Sequence, residues 1–495
     1  MKLMFMKTKY KGTCALVAII VGATVFLLGP HSPKLDGTSN GDPDLAAKTQ
    51  VFLGGDLGLT TLHVSVITRN SISHAGLGHD SNGKSPDHST PMPLGSITKT
   101  FNGQLLADSI QRGEVTATDP VEKHLPELAG SPAGKATLEE LASHRGGIPV
   151  NLNGIELYLQ AGAGNYPAPT DTAGYLNQVR SLPVSAEKTF RYSNVGATLL
   201  GSALARAAGI DSWEIFARDR LFEPVGMAKV TFANTLGDIP AEAPPGSWTN
   251  GRRVMPFYGE DQAPAGTSTY ITPDAMARYA QAILNDTIPG GTTAQEPRWQ
   301  VAANVWMGYH WEIQDRDGHR LISHSGGTST ASTQLIIDKE AGKAVMVYSN
   351  TGFTGISTAE LAEHLLHGSD KHTPYAAMWT ELGPIQVAIT AIFILFLAFA
   401  AIRGDGPASR LAAGIRVTEV LSCLTLTWVL GPWGIAPGWL FGIPLALGSY
   451  AIARAVVRWC DLPSLPGKHR WYFYARIAVA LAVVAISGWL VWPKY

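Results

Sequence analysis

The sequence predicts an α+β domain followed by an all-α transmembrane bundle. The domain reads as an antiparallel sheet flanked by helices, plus a helical lobe. Three observations carry this. Segments suited to strands lie near both ends of residues 51–370, the stretch between them is helical and loop-rich, and four apolar runs close the chain. The chain has 495 residues, enough for two or three domains. Its formal net charge of −1 excludes a nucleic-acid footprint, so no nucleic-acid partner is expected. With only 16% charged residues and 52 glycines it reads as packed and turn-rich rather than disordered. Cys14, Cys423 and Cys460 all lie in or beside apolar segments, which leaves no disulfide framework and no cysteine metal site.

Taken in order, the first element is a membrane anchor over residues 1–29. Lys2, Lys7, Lys9 and Lys11 precede an apolar run at 14–28. No small-residue cleavage site follows closely, so it is read as an uncleaved anchor. Residues 30–50, rich in Pro, Gly, Ser and Asp, read as a linker. In the exported domain, "LHVSVITRNSISHAGLG" reads as a strand hairpin. "MPLGSITKTFNGQLLADSI" follows as a helix, with Phe101, Leu105, Leu106 and Ile110 at helical spacing. "TLEELASHRGGIP" is a short helix stopped by Gly146, Gly147 and Pro149. "NVGATLLGSALARAAG" is the clearest helix of the lobe. "RLISHSGGTSTASTQLIIDKEAGKAVMVYSN" reads as three strands with "KEAG" as the last turn, and "STAELAEHLLHG" as a closing helix.

Residues 383–495 form the tail. Apolar stretches at 384–402, 411–430, 438–457 and 472–492 each approach the roughly 20 residues that a spanning helix needs. Trp428, Trp433, Trp439, Trp471, Trp489 and Trp492 fall near the expected interfaces. Arg403 and Arg410 lie between the first two segments, and Arg454, Arg458, Lys468 and Arg470 between the last two, whereas "GPWGIAPG" has no basic residue. All basic loops and the N-terminus can therefore face the cytoplasm together, which places residues 30–382 outside it.

Ser96 and Lys99 form an S-x-x-K pattern at a helix start. Residues three apart share a helix face, so hydroxyl and amine can meet. Ser96 is expected at or near the N-cap, where unpaired N–H groups and the positive dipole end stabilise an oxyanion. A capping serine is the ordinary alternative. A second copy, Ser185–Lys188, follows Pro183 without apolar periodicity and reads as loop. Tyr192 and Asn194 form a Y-x-N pattern, repeated at Tyr348–Asn350 at a strand end. His324, Ser325, Gly326 and Gly327 lie on an expected strand, where the glycines let a substrate backbone approach.

In this order, the motifs resemble those of the serine β-lactamase and penicillin-binding-protein superfamily, above all its class C-like branch. The branch carries S-x-x-K, Y-x-N and then K-T-G or H-x-G, here Ser96–Lys99, Tyr192–Asn194 and His324–Gly326. "LASHRGGIP" and "LFEPVGM" look familiar too, and the resemblance covers about residues 50–368. It implies that Ser96 is the nucleophile and that Lys99 and Tyr192 move its proton. It further implies an oxyanion hole from the N–H groups of Ser96 and Gly327. Asn194 is then expected to hold the substrate's acyl amide or to orient Lys99. His324 stands where many relatives have lysine, and a neutral imidazole holds a substrate carboxylate less firmly.

The function implied is an exported, membrane-anchored serine hydrolase acting through an acyl-enzyme on D-amino-acid peptides, as a carboxypeptidase or related peptidase. The alternatives are a prodrug-activating D-aminoacyl peptidase, a β-lactamase, an esterase, or a non-enzymatic sensor of β-lactams or cell-wall fragments. No cofactor and no metal are expected. The partners are a small peptide-like substrate and the lipid bilayer. Four tail helices exceed what anchorage needs, which suggests a membrane-embedded partner protein.

Overall fold

The computed structural model describes residues 2–28, 32–55, 58–80, 83–152, 171–247, 253–316, 318–352, 355–373, 383–402, 409–457, 459–464, 474–479, 481–483 and 485. It divides into two compact units. One comprises Lys34–Trp248 and Arg253–Ala376; the other comprises Met1–Pro33, Thr249–Arg252 and Ala377–Tyr495.

The first unit is built on a nine-stranded antiparallel sheet in the order β1-β3-β2-β12-β11-β10-β9-β8-β7. In chain order the strands are β1 Ser39–Gly41, β2 Thr61–Thr68, β3 Ile72–Gly78, β4 Met92–Pro93, β5 Val230–Phe232 and β6 Thr269–Ile271. β7 Trp299–Ala302, β8 Val305–Met307, β9 Glu312–Arg316, β10 His319–Gly327, β11 Ser332–Asp338 and β12 Lys343–Ser349 follow. β4, β6 and β5 form a separate small sheet. The expected hairpin is β2–β3, and the three strands expected near residue 330 are β10, β11 and β12. Gly342 closes the "KEAG" turn at φ +64, a conformation that glycine adopts without a Cβ penalty.

The central strands are covered on both faces, so β12 is apolar almost throughout. Val345 and Val347 point to one side with Leu62 and Val64. Ala344, Met346 and Tyr348 point to the other, as the two-residue period of a strand requires. The helices that carry the argument are α1 Lys2–Leu28, α2 Pro43–Leu53, α3 Lys99–Gln111, α4 Leu138–Ala142, α5 Thr172–Val179, α6 Asn194–Ala207, α7 Pro273–Leu284 and α8 Gly355–His367. Leu361, Ala362, Leu365 and Leu366 of α8 join Leu45 and Leu53 of α2 over the first face. α3, α6 and α7 belong to the core on the second, where Phe101 sits edge-on between Phe222 and Tyr279 at 5.1 and 4.9 Å.

Two expectations need correction. Part of the stretch read as a linker at 30–50 is structured: β1 pairs with β3, and α2 begins at Pro43. The residues that look like linker are its caps. Asp42 accepts the Asp44 and Leu45 N–H groups at 3.0 and 3.1 Å, Pro43 starts the helix, and Gly54 ends it at φ +55. Strands β7 to β9 were not anticipated, because each is only three to five residues long.

In the second unit, α9 Gly383–Ile402, α10 Arg410–Leu430 and α11 Gly442–Val457 join α1. Four spans, Tyr10–Leu28, Pro384–Ile402, Arg410–Leu430 and Gly438–Val457, are long and apolar enough to cross a membrane, which fits membrane association. α1 meets α11 where small residues allow close approach: a Cβ on Gly22 would lie 3.0 Å from that of Ala446. Arg476 grips Glu419 through two contacts of 2.9 and 2.6 Å, pairing the charges within apolar helices. The last expected span, 472–492, is described only in part, as a shorter apolar helix at Tyr474–Val483. Arg403, Arg458, Lys468, Arg470, Trp471, Trp489 and Trp492 lie outside the described residues.

Candidate active site

Ser96 does not cap a helix. It lies in a 3-10 turn, Gly95–Thr98, that runs directly into α3, and no side chain caps either element. Gly95 enters the turn at φ +65, so the helical path starts before Lys99 and the N-cap place falls to Thr98. The Ser96 hydroxyl is thereby left to the lysine. Lys99 Nζ lies 2.9 Å from Ser96 Oγ, and it also donates to the Ala265 carbonyl at 2.6 Å. Asn102, about one helix turn on, donates to Pro264 O at 2.9 Å and so holds the loop that presents Ala265. The turn itself is seated from two sides. Leu94 N donates to Thr269 O at 2.9 Å, and the Thr333 hydroxyl of β11 donates to Leu94 O at 2.8 Å.

Lys99 is fully buried. Burial pushes its pKa down from 10.5 to about 7, because a buried ammonium loses its water shell. About half of such a lysine is a free amine at neutral pH, able to accept the Ser96 proton.

Tyr192 lies beside this amine, its ring centroid 5.1 Å from Nζ. Its loop is stitched to the segment after α4. Arg191 N donates to His144 O at 2.7 Å, the Ser193 hydroxyl to Pro149 O at 2.7 Å, and Asn194 N to Val150 O at 2.9 Å. Ser193, not Asn194, caps α6, accepting from Gly196 N at 2.8 Å. Asn194 Nδ2 donates to Asn151 Oδ1 at 2.8 Å, so its side-chain bond goes to Asn151 and not to Lys99.

β10 supplies the opposite wall. β9 pairs with it only as far as Ser323, while β11 pairs with it to Gly327. Residues 324–327 are therefore an unshared strand edge on the side β9 has left. Gly326 packs on the nucleophile turn, where a Cβ would collide with Leu94 O and Thr333 Oγ1 and lie 3.3 Å from Ser96 N. A Cβ on Gly95 would lie 2.8 Å from Gly327 N. The two N–H groups expected to form an oxyanion hole, those of Ser96 and Gly327, are thus neighbours across this contact. Ser325 is exposed on the same edge. His324 is half-buried and donates from Nδ1 to Ser325 O at 2.6 Å, which leaves a lone pair on Nε2. Crowding by protein, then the nearby Lys99, lowers its pKa to about 4 and keeps it neutral.

The repeated motifs part company with the site. Lys188 Nζ bonds to Glu140 Oε2 at 2.8 Å rather than to Ser185. Tyr348 is buried in the sheet, and Asn350 binds Thr61 N and Thr60 across β2.

Two histidines behind Tyr192 were not singled out from the sequence. The His144 ring lies 4.5 Å from that of Tyr192, and its Nε2 lies 3.3 Å from His310 Nδ1. His144 Nδ1 accepts the Ser193 N–H at 3.2 Å, so Nε2 carries the proton and donates to His310. Both are fully or nearly fully buried, and burial lowers both pKa values well below the ordinary one; Lys99 and the other histidines add to this. Neutral rings can therefore back Tyr192 without bringing a second charge to Lys99. Both residues also hold positive φ, 56° and 55°, which local sequence does not reveal.

Comparison with known proteins bears on the family and the fold. The chain is 28% identical over 237 residues to a "Beta-lactamase" of Escherichia coli (strain K12), covering 46% of this chain and 58% of that one. It is 27% identical over 247 residues to "D-alanyl-D-alanine-carboxypeptidase/endopeptidase AmpH" of the same strain, covering 48% and 60%. The chain thus spans less than two thirds of either relative. Among solved structures, a class C beta lactamase from Rhodobacter sphaeroides shares the fold with a TM-score of 0.53 at 21% identity, covering 66% of this chain and 99% of that one. Since the family model described as Beta-lactamase matches residues 51–368, the greater part of the chain, the protein belongs to the beta-lactamase family of serine hydrolases.

Proposed function

We propose that this protein is a membrane-anchored serine peptidase that works outside the cytoplasm on D-amino-acid-containing peptides. The observation that carries the proposal is the 2.9 Å contact between Ser96 Oγ and a buried, partly neutral Lys99. The substrate class rests on the carboxypeptidase relative, and the location on the distribution of basic residues around the apolar helices.

In this reading the Lys99 amine takes the proton from Ser96 as Oγ bonds to the substrate carbonyl. The oxyanion is held by the Ser96 and Gly327 N–H groups, each worth on the order of 3 kcal/mol in the transition state. When the C–N bond breaks, the proton passes from Lys99 by way of Tyr192 to the departing amine. Water then attacks the Ser96 ester, giving its proton to Lys99, which returns it to Oγ as the C–Oγ bond breaks. The free edge at residues 324–327 aligns the substrate backbone by strand addition.

His324 favours a second reading. A neutral ring that spends its proton on Ser325 O offers a substrate carboxylate neither charge nor donor. That suits acyl donors ending in an amide or ester, as in a D-aminoacyl prodrug peptidase or an esterase. Fluorescent penicillin, with release of D-alanine from an acyl-D-Ala-D-Ala peptide and of D-alaninamide from its C-terminal amide, tests both readings. Labelling and release that vanish in Ser96→Ala support the nucleophile. Faster cleavage of the amide selects the second reading. Equal labelling of wild type and Ser96→Ala refutes both.

A further inference from the structure

The end of β10 away from Gly327 carries a second cluster, which acyl transfer does not use. His319 opens β10, Asp338 closes β11 and His367 ends α8. Asp338 Oδ2 lies 2.7 Å from His319 Nδ1 and 2.8 Å from His367 Nε2. The three ligand atoms all lie within 4.8 Å of one another. The imidazoles face each other with centroids 4.7 Å apart. Asp338 is fully buried, and its other oxygen accepts the Ala341 N–H at 2.8 Å.

Hydrogen bonding explains only half of this cluster. His367 Nε2 donates to the carboxylate with good alignment. His319 Nδ1 is equally close and buried, yet among the described residues it makes no aligned hydrogen bond. A nitrogen lone pair, a carboxylate oxygen and a second imidazole converging on one point are what a shared cation requires. We propose that His319, Asp338 and His367 bind one zinc-class divalent transition-metal ion, with water completing its coordination.

The donor chemistry selects the class. Two imidazoles and one carboxylate suit zinc and its neighbours, whereas magnesium and calcium prefer all-oxygen sets. Seating an ion about 2 Å from each donor needs the triangle to open by about half an ångström, which two partly exposed imidazoles can provide. The Ala341 N–H already orients the carboxylate from behind, as outer-layer partners of metal ligands do. The C-terminal end of α8 also favours a cation. Lys343, opposite Asp338 in β12, does not compete for the site, because its ammonium is bonded to Leu365 O and Leu366 O at 2.7 and 2.9 Å. An ion here ties the last turn of α8 to two strands. At roughly 3.3 Å per residue, the length of β10 separates it from the Ser96 pocket by on the order of 20 Å. The cluster therefore stands apart from Ser96.

The test uses full-length protein in detergent, made without a polyhistidine tag, stripped with a chelator and titrated with Zn2+ or Co2+ alone. Wild type is expected to bind one ion per chain, to melt at higher temperature with Zn2+, and to show an intense visible Co2+ band of low coordination number. His319→Ala and His367→Ala should each weaken binding by about 100-fold or more with the fold retained, and His367→Ala, which also loses its hydrogen bond to Asp338, should melt somewhat lower without metal. These side chains are partly exposed, unlike Asp338, so their variants read the site rather than folding. Absence of stoichiometric binding, or equal binding by wild type and both variants, overturns the proposal. Penicillin labelling of the stripped protein keeps this outcome separate from any failure at Ser96.

Discussion

Replacing Lys99 with methionine should abolish acylation while making the protein more stable near neutral pH. The amine is fully buried and its pKa falls from 10.5 to about 7. At about 1.4 kcal/mol per tenfold change in proton affinity, that fall makes the buried ammonium about 5 kcal/mol costlier than in the unfolded chain. Between pH 7 and 10.5 the unfolded chain binds a proton that the folded chain does not, so stability rises with pH across that window. Below pH 7 both forms are protonated and the full cost remains. Methionine removes this cost but leaves Ala265 O without its 2.6 Å donor, a loss of about 1–3 kcal/mol. The net gain at neutral pH is about 2 kcal/mol, or several degrees in melting temperature. It should shrink as pH rises toward 10. The assay is thermal melting of wild type and Lys99→Met across this range, beside fluorescent-penicillin labelling. Labelling should fall on the order of 10³-fold or more in the variant. In wild type the labelling rate should climb about tenfold from pH 6 to 8 as the amine deprotonates. A variant that melts lower than wild type at neutral pH, or a stability difference independent of pH, refutes the reasoning.

Two further predictions concern the walls of the site. His310→Gly relieves a residue at φ +55 but removes the acceptor of the buried His144 Nε2 proton, so kcat should fall about tenfold, and His310→Ala, which loses the same acceptor and keeps the strain, should melt lower than His310→Gly; melting and steady-state kinetics of the pair decide. Gly326→Ala drives a Cβ into Leu94 O and Thr333 Oγ1, parting β10 from the nucleophile turn; acylation should drop by about 100-fold or more in single-turnover labelling, and wild-type rates would overturn the packing argument.

Much of the fold was legible because strand and helix periods are local. The β2–β3 hairpin, the β10–β12 meander, α6 and α8 each announce themselves through apolar spacing and turn residues. Elements stabilised from outside were not legible. The short strands β7 to β9 exist because β10 offers an edge to pair with, and α2 exists because its caps and buried leucines meet the sheet. Chemistry followed the same division. Motif order alone picked Ser96, Lys99, Tyr192 and His324, but it could not say that Asn194 would bond to Asn151, or that Ser96 would sit in a 3-10 turn instead of a cap.

By itself, the chain's residue order determined the class of fold, the apolar helices and the residue types available for acyl transfer, since these depend on neighbours a few positions apart. Tertiary structure alone decided in which S-x-x-K the hydroxyl and the amine meet. Ser185 lost its lysine to Glu140, whereas Lys99 was buried against Ser96, and that burial lowers the amine's pKa to about 7. It also decided that His144 and His310 stand behind Tyr192, and that His319, Asp338 and His367 converge, because distant segments acquire chemical meaning only when packing removes the water between them.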